Sequence, residues 1–559
     1  MLRIYRYAIT LAAAFVSVAA MAQNLDPTVE VSRAYEASLV EVHKPAMQMA
    51  VPDSVQHFRL DFDYSVFDSP YKGSYEFNPY ITSMRPASTV FQPNVFYLRA
   101  GAGYRLYPLA DIIWSPAFKK GYKMDVYASH RSYIGDYRAI VPVSSENGMK
   151  LIDGGSDWKG YDFATDAGVS GVYDWKKGTL DYTLSYTGIH SKDYMKARSF
   201  NAAQASVGVK SKAAGSFIYD VDLDYGFAYD KGLCHVKENL ISIDADLGHK
   251  FKDVHKLLFD IGIDMADYSF AKEWNAAHMH FTPSYVYEKG RWSIDAGLKV
   301  DVLVANETPS SERQQVIYPD LRIEFAAIRN AMNLYLSAVG GTSLNTYSDI
   351  VNRNHFADPT FFHGTGLDAD VERINASAGI KGRIGTRFSY DVKGGYAAYA
   401  NAIFDALYVI PDQHSPAGIA YSGCSKAYAE LYWLLDTERF KFDGNVQYAH
   451  YWGFESVAGL FAPAALSGDA SMEFNIRKRI FFGVDCAFAT GRKMVAPMAG
   501  YYSCTIPGYA DLGCSVEVAA SRKLSFWAHG GNLLNMTIQR TPLYAEGGIS
   551  CTVGLCLNL

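Results

Sequence analysis

Apolar and polar residues alternate along much of the chain with a period of two positions. Between residues 292 and 304 one set of alternate positions is apolar and its partner set is largely polar: Trp292, Ile294, Ala296, Leu298, Val300, Val302 and Val304 against Ser293, Asp295, Gly297, Lys299 and Asp301. Residues 241–248, 257–265 and 549–559 follow the same rule. Successive side chains of a β-strand point to opposite faces, so the pattern predicts strands with one apolar and one polar face.

These alternating segments are about ten residues long, the length that a tilted strand needs to cross a bilayer, whereas globular strands average about five or six. A charge facing lipid at mid-depth costs about 2–4 kcal/mol, so a clean apolar face suits contact with hydrocarbon. Backbone groups cannot stay unpaired there, so the sheet must close on itself. We therefore predict an all-β fold, a transmembrane antiparallel β-barrel, in preference to a soluble sandwich or β-helix.

The number of strands follows from short connections rich in Lys and Arg, which recur every roughly 37–56 residues, the length of two spanning strands and one long loop. They lie at residues 119–120, 176–178, 212–215, 249–256, 289–291, 329–330, 383–387, 437–439, 477–479 and 522–523. With a hairpin over residues 95–116, the count is about 22 strands, within 20–24. The basic turns are predicted to face the periplasm. The longer loops are predicted to face outward, at residues 138–158, 347–370, 408–415, 451–463 and 493–507.

The first residues have the parts of a secretory signal peptide. Arg3 and Arg6 precede an apolar run over residues 8–20, and Ala20-Met21-Ala22 ends it. We expect cleavage between Ala22 and Gln23. The predicted organisation is a signal peptide at 1–22, an N-terminal periplasmic segment at 23–56 and the barrel at 57–559. Residues 57–67 also alternate, as an extra strand or as a segment below the barrel. No later apolar run reaches about 18 residues, so no transmembrane helix is expected.

Composition agrees with a barrel and argues against other classes. The 559 residues include 41 Tyr and 31 Phe, yet the mean hydropathy is only −0.07, because a barrel strand has one apolar and one polar face. A net charge of −6 gives no basic surface for nucleic acid. Seven cysteines form no disulfide framework. Cys486, Cys514 and Cys551 fall on the apolar face as small hydrophobic residues, and a disulfide from Cys504 to another loop stays open.

Candidate chemistry is sparse. His278 and His280 share a strand face and could hold a metal, although two polar lumen residues are the simpler interpretation. One predicted loop holds a possible cation or ligand site, or else an ordinary solvated loop: His355, Asp358, His363, Asp368 and Asp370. Arg59, Asp61 and Asp63 are interpreted as an inward salt network. No catalytic motif is found, so we expect no enzyme, no catalytic residues, no cofactor and no metal site, and the ligand-binding residues stay unknown.

The end of the chain resembles a known family. Gly531-Asn532-Leu533-Leu534-Asn535, then Pro542, Gly547-Gly548 and a final alternating strand, is similar to the end of the barrel in TonB-dependent receptors. The Tyr-rich strands and short basic turns resemble receptors of Bacteroidota. The chain departs from that family by ending in Leu559 rather than an aromatic residue, and by leaving no room for a plug domain before the barrel. Residues 28–32 resemble a TonB box, with an ordinary periplasmic tail as the alternative.

The resemblance implies a protein of the outer membrane of a Gram-negative bacterium that transports a solute. The alternative is a barrel that transports nothing and anchors an envelope complex. The partners expected are outer-membrane lipid, a periplasmic or TonB-like protein bound through residues 23–56, and an unknown solute, but no nucleic acid. A barrel of this width must be filled by inward-folded outer loops, by residues 23–56, by a partner or by water.

Overall fold

The structure is a computed structural model. The structure describes these parts of the chain: residues 60–62, 84–86, 95–104, 108–118, 121–145, 148–192, 197–212, 215–232, 235–252, 254–269, 273–305, 313–358, 367–407, 417–455, 459–495, 504–546 and 548–559. The signal-peptide site at Ala22 and Gln23, the segment 23–56 and the TonB-box-like residues 28–32 lie outside these residues and stay predictions.

The barrel is built from 22 antiparallel strands. In the first half, these are β1 Phe96–Tyr104, β2 Leu109–Trp114, β3 Tyr122–Ser145, β4 Gly148–Asp174, β5 Gly178–Lys192, β6 Ala197–Ser211, β7 Phe217–Asp230, β8 Val236–Phe251, β9 His255–Ser269, β10 Glu273–Lys289 and β11 Trp292–Ala305. In the second half, they are β12 Arg313–Ile328, β13 Met332–Leu344, β14 Ala369–Ile384, β15 Phe388–Leu407, β16 Ala417–Asp436, β17 Phe440–Trp452, β18 Leu466–Ile476, β19 Ile480–Ala489, β20 Tyr509–Ala519, β21 Leu524–Gly531 and β22 Ser550–Asn558.

Each strand pairs with the next along the chain, and β22 pairs with β1 from Asn558↔Tyr97 to Cys551↔Tyr104, which closes the sheet. The predicted strand number is confirmed. Within the described residues no helix is long and apolar enough to span a membrane. Outside the barrel sheet, Leu60–Phe62 pairs with Met84–Pro86 in a sheet of two strands, so this part of residues 57–67 is not a barrel strand. The predicted barrel start at residue 57 remains a prediction.

The two faces of the wall are those that the alternation predicts. On β11, Leu298 is 59% exposed on the outside of the barrel, whereas Asp301 on the inside is 1% exposed. On the last strand, Val553 is 57% exposed and Cys556 only 4%. The outer face therefore carries the apolar side chains that hydrocarbon requires, and the inner face carries the polar ones, as in membrane barrels.

The connections differ at the two ends of the barrel. The connections that contain the ten predicted basic turns all lie at one end of the barrel. This is the end at which β2 connects to β3 and at which β22 finishes. Among them, Asn330, Arg477 and Lys478 have left-handed φ values of 59°, 53° and 57°, as tight hairpins need. The other end carries the longer connections. One prediction fails there: residues 138–145 and 148–158 are strand, because β3 and β4 keep pairing up to Ser145↔Gly148.

The segment that carries the family resemblance forms a tight bend after β21. Asn532 and Asn535 both have left-handed φ values, 49° and 52°, a conformation that Asn tolerates better than most residues. The Asn532 side chain donates to the carbonyl oxygens of Met536 (2.7 Å) and Gly548 (3.3 Å), and it accepts from the Met536 N–H (2.9 Å). One asparagine therefore ties together both ends of the loop between β21 and β22.

Candidate functional site

A short helix lies in the connection between β13 and β14. This helix, α1, covers Tyr347–Arg353. Thr346 caps it in a capping box with Asp349: the Thr346 hydroxyl accepts from the Asp349 N–H, and the Asp349 carboxylate accepts from the Thr346 N–H. Tyr347, Ile350 and Val351 share one face and are almost fully buried. An apolar face on a loop helix indicates that the helix packs against something.

The surface that α1 packs against is the inner wall of the barrel. Its buried face belongs to one apolar cluster with inward-facing side chains from seven strands of that wall, β5 to β11, and from β15 and β16: Ile189, Phe200, Ala228, Val236, Ala266, Tyr268, Ala276, Ala305, Ile403 and Ile419. The connection between β13 and β14 therefore folds into the barrel rather than standing out in solvent, and burial of this face holds it there.

A carboxylate from the wall holds the first turn of α1. The side chain of Glu238, on β8, accepts hydrogen bonds from the Tyr347 N–H (2.8 Å) and the Ser348 N–H (3.3 Å), and from the Ser348 hydroxyl. The first N–H groups of a helix have no partner within the helix. Glu238 satisfies two of them although it is itself only 1% exposed. The N–H groups of the helix in turn supply hydrogen-bond donors to this buried carboxylate of the wall.

A buried arginine holds the turn that follows α1. Arg198, on β6, donates to the carbonyl oxygens of His355 (2.7 Å) and Ala357 (2.5 Å). Its Nε lies 2.9 Å from Oδ2 of Asp230 on β7, and the Tyr347 hydroxyl donates to the same oxygen at 2.6 Å. Arg198 and Asp230 are 4% and 1% exposed. Hydrogen bonds to ionised groups are the strongest kind in proteins, so this pair is a strong polar attachment of the loop, and we name it the latch.

Other outer loops meet this loop at the mouth. Phe356 stacks on Tyr544 with ring centroids 4.5 Å apart, and the Thr541 hydroxyl donates to the Asn354 side-chain oxygen at 3.3 Å. The hairpin Ile538–Thr541/Tyr544–Glu546 in turn pairs with β3. Residues 345–358 and 538–546 form a layer with three further loop segments, residues 459–461, 492–495 and 504–506. We call this layer the loop cap.

The loop cap has an apolar interior of its own. One cluster joins β3 and β15 to four parts of the cap: Ile140, Leu407, Phe461, Met494, Cys504, Ile506, Leu543 and Ala545. Arg492 crosses the layer, because its guanidinium donates to Asp405 (3.0 Å) and to the carbonyl oxygens of Gln539 (3.1 Å) and Arg540 (2.7 Å). The described parts of these outer loops are thus packed against each other and against the wall at this end of the barrel.

Cys504 gives a chemical test of this packing. Burial in the cap raises the pKa of its thiol to about 11, and only the thiolate reacts quickly with maleimides. In a chain whose other cysteines are replaced by alanine, we expect Cys504 to react at neutral pH about a hundredfold more slowly than an exposed thiol, since a two-unit rise in pKa leaves that much less thiolate. Stopped labelling followed by mass measurement gives the rate.

The matched control for Cys504 is Leu534→Cys in the same background without other cysteines. Leu534 is 52% exposed and lies in the loop between β21 and β22. A Cys504 that reacts as fast as this control would show that the cap is open in solution.

Among the described residues singled out from this loop, two are buried and two are half-buried, so the prediction of a solvated loop is wrong for them. Asp358 and Asp368 are each 2% exposed. The His355 ring nitrogen Nδ1 lies 2.7 Å from Asp162 Oδ1 on β4, and the Asp370 carboxylate accepts from Asn345 and from the Ile403 N–H. These groups join the loop to the wall because the loop folds inward, and the described residues contain no group of three that could hold a metal ion. His363 lies outside the described residues.

His278 and His280 face the lumen among aspartates. His278 Nδ1 lies 3.2 Å from Asp264 Oδ2, and its Nε2 lies 3.6 Å from Asp301 Oδ2. His280 Nε2 lies 3.1 Å from Asp260 Oδ1. The arrangement is the polar lumen network expected of them, without a third metal ligand among the described residues. The Arg59, Asp61 and Asp63 side chains lie outside the described part.

The described cysteines are all free thiols: Cys424, Cys486, Cys504, Cys514, Cys551 and Cys556. The disulfide from Cys504 that the sequence left open is therefore not formed with any of them. Cys551 is exposed, as its prediction on the apolar outer face requires, and Cys486 and Cys514 are half-buried.

The fold has well-matched solved structures. The FrpB iron transporter from Neisseria meningitidis (F3-3 variant) superimposes with a TM-score of 0.62 at 10% identity, covering 84% of this chain and 82% of that one. The copper transporter OprC gives 0.60 at 10% identity, covering 85% and 82%, and the siderophore receptor PiuA from Acinetobacter baumannii gives 0.57 at 10% identity, covering 85% and 83%. No protein-family model and no curated protein matches the chain. In fold, the chain is similar to outer-membrane receptors and transporters with 22-strand barrels.

Proposed function

We propose that the protein transports a solute across the outer membrane, with the loop cap as its gate. The observation that carries the proposal is an inner wall rich in polar side chains that is covered at one end by loops attached through side-chain contacts. The contacts of α1 can break and re-form without unfolding the barrel, because none of them belongs to the backbone pairing of its strands. The fold shared with iron, copper and siderophore proteins supports the same conclusion.

In this proposal each part of the molecule has one task. The loops bind and admit the solute, since recognition residues are commonly carried on loops that a rigid scaffold positions. The solute then passes along polar residues such as Asp260 and Asp264 that line the inner wall. Residues 23–56 bind a periplasmic, TonB-like partner, for which an extended segment can pair as an added strand. No step calls for an enzyme.

The test is electrical and uses the whole purified chain. Reconstituted in planar bilayers in potassium chloride, the wild-type protein is expected to be closed most of the time and to show brief openings, because the cap is packed yet held by local contacts. The rival role, a barrel that only anchors an envelope complex, predicts no openings at any voltage and a fixed partner that copurifies with the chain. That pair of results would overturn the proposal.

A further inference from the structure

A cavity lies inside the barrel beside α1. It has a volume of about 450 Å³, and its lining comes from the inner faces of β5–β11 and β13 and from α1 itself. Small-molecule sites in proteins enclose about 300–1,000 Å³. Because Ser348, Asp349 and Asn352 of α1 form part of the lining, a molecule bound here contacts the loop and the wall at the same time.

The lining of this cavity is acidic. It includes four carboxylates, Asp224, Glu238, Asp264 and Asp349, against Lys299 and two histidines, His278 and His280, of which His278 lies 3.2 Å from Asp264. Lys299 in turn lies 3.9 Å from Asp301 Oδ1 on its own strand. Even with Glu238 engaged by the helix, the cavity therefore carries an excess of negative charge, which favours a positively charged occupant.

The inner wall next to the cavity is also rich in carboxylates. The register of β7, β8 and β9 places Asp222 directly opposite Asp244, and Asp246 opposite both Asp220 and Asp260. Like charges that face each other across neighbouring strands destabilise a sheet. Lys210 lies 2.7 Å from Asp220 and His280 lies 3.1 Å from Asp260, so basic side chains of the wall offset part of this repulsion.

Two further features of the lining indicate an organic cation with hydrogen-bonding groups. Ala202, Leu240, Ala266 and Leu344 give the cavity an apolar side. His278 also lines it, is 2% exposed, and has an Nε2 atom that makes no hydrogen bond among the described atoms, with Asp301 Oδ2 3.6 Å away. A buried polar atom normally finds a partner in protein, water or ligand.

We propose that this cavity binds a small organic amine with a short apolar segment, and that such an amine is the class of solute the barrel transports. The proposal rests on the transport function above and extends it to a substrate class. Asp224 and Asp264 bind the ammonium group, and the apolar side packs on the carbon chain. Asp349 belongs to α1, so the bound amine also contacts the helix.

The test compares three probes of matched length, hexamethylenediamine, hexanediol and adipate, by calorimetry on the full detergent-purified chain at fixed salt. Hexamethylenediamine is expected to bind, and the uncharged and anionic probes are not. Asp224→Asn and Asp264→Asn are each expected to weaken diamine binding by about tenfold, the loss of one charged contact. Asp485→Asn, which removes an inner-wall carboxylate on β19 outside the cavity lining, is expected to leave binding unchanged.

Equal binding of hexanediol, no binding of the diamine, or an equal loss from Asp485→Asn would overturn the proposed substrate class. These results are separable from the transport function. If the protein conducts ions but does not bind the diamine, only the proposed substrate class is wrong. Diamine binding in a barrel that never conducts removes transport and with it the claim that the amine is a transported solute.

Discussion

Replacing residues 345–368 by a two-residue Asn-Gly turn is expected to turn the closed barrel into an open channel. Leu344 on β13 lies directly opposite Ala369 on β14, so a tight turn can join these strands without changing their register. The change removes α1 and the turn held by Arg198, and with them the apolar cluster against nine strands. A barrel this wide holds water when nothing fills it. Planar bilayers should show a large, steady conductance in place of brief openings.

The matched control shortens another outer connection in the same way. Lys192 on β5 also lies directly opposite Ala197 on β6, so residues 193–196 can be replaced by the same Asn-Gly turn. This variant keeps α1, and it should behave as the wild type does. Heat-modifiable migration on gels shows that both barrels fold. A folded barrel that stays closed without residues 345–368 would show that the loop is not the gate.

The wall of this protein could be predicted from its sequence, because lipid imposes a rule on every second residue. Leu298 and Asp301 could be assigned to opposite faces from the alternation alone, and the structure agrees. The number of strands followed from the spacing of the basic turns, since each hairpin has to cross the same thickness twice. The alternation also restricts the register, because a slip of one residue would turn every apolar side chain of a strand to the inner face.

The loop cap could not be predicted in the same way. Its positions depend on contacts between residues far apart in the chain, such as Arg198 with His355 or Thr541 with Asn354, and no local period reports them. A local signal for α1 was nevertheless present: Thr346 and Asp349 form a capping box, and Tyr347, Ile350 and Val351 are spaced as one helix face. An amphipathic helix within a supposedly solvated loop indicates that the loop is packed.

Arg198→Met is expected to loosen the cap while the barrel stays folded. Methionine keeps much of the buried aliphatic stem but removes the ion pair with Asp230 and both hydrogen bonds to the loop backbone. Removing one partner of a buried pair costs about 3–5 kcal/mol, because the other charge stays buried without compensation. If that cost falls on the closed state, the ratio of open to closed barrels rises by two orders of magnitude or more, at about 1.4 kcal/mol per tenfold. Planar bilayers should record long openings where the wild type shows brief ones.

Two variants separate the latch from a general loss of charge. Arg322→Met removes another inner-wall arginine, which pairs with Asp295 and Asp320 on the wall, and it should leave the open time unchanged. Arg198→Met with Asp230→Asn also removes the carboxylate charge that Arg198→Met leaves buried without a partner. The closed state of the double variant is therefore destabilised less, and its openings should be shorter than those of Arg198→Met. If Arg322→Met opens the barrel equally, or if Asp230→Asn brings no recovery, the Arg198–Asp230 pair is not the latch, and the closed state depends on the apolar packing of α1.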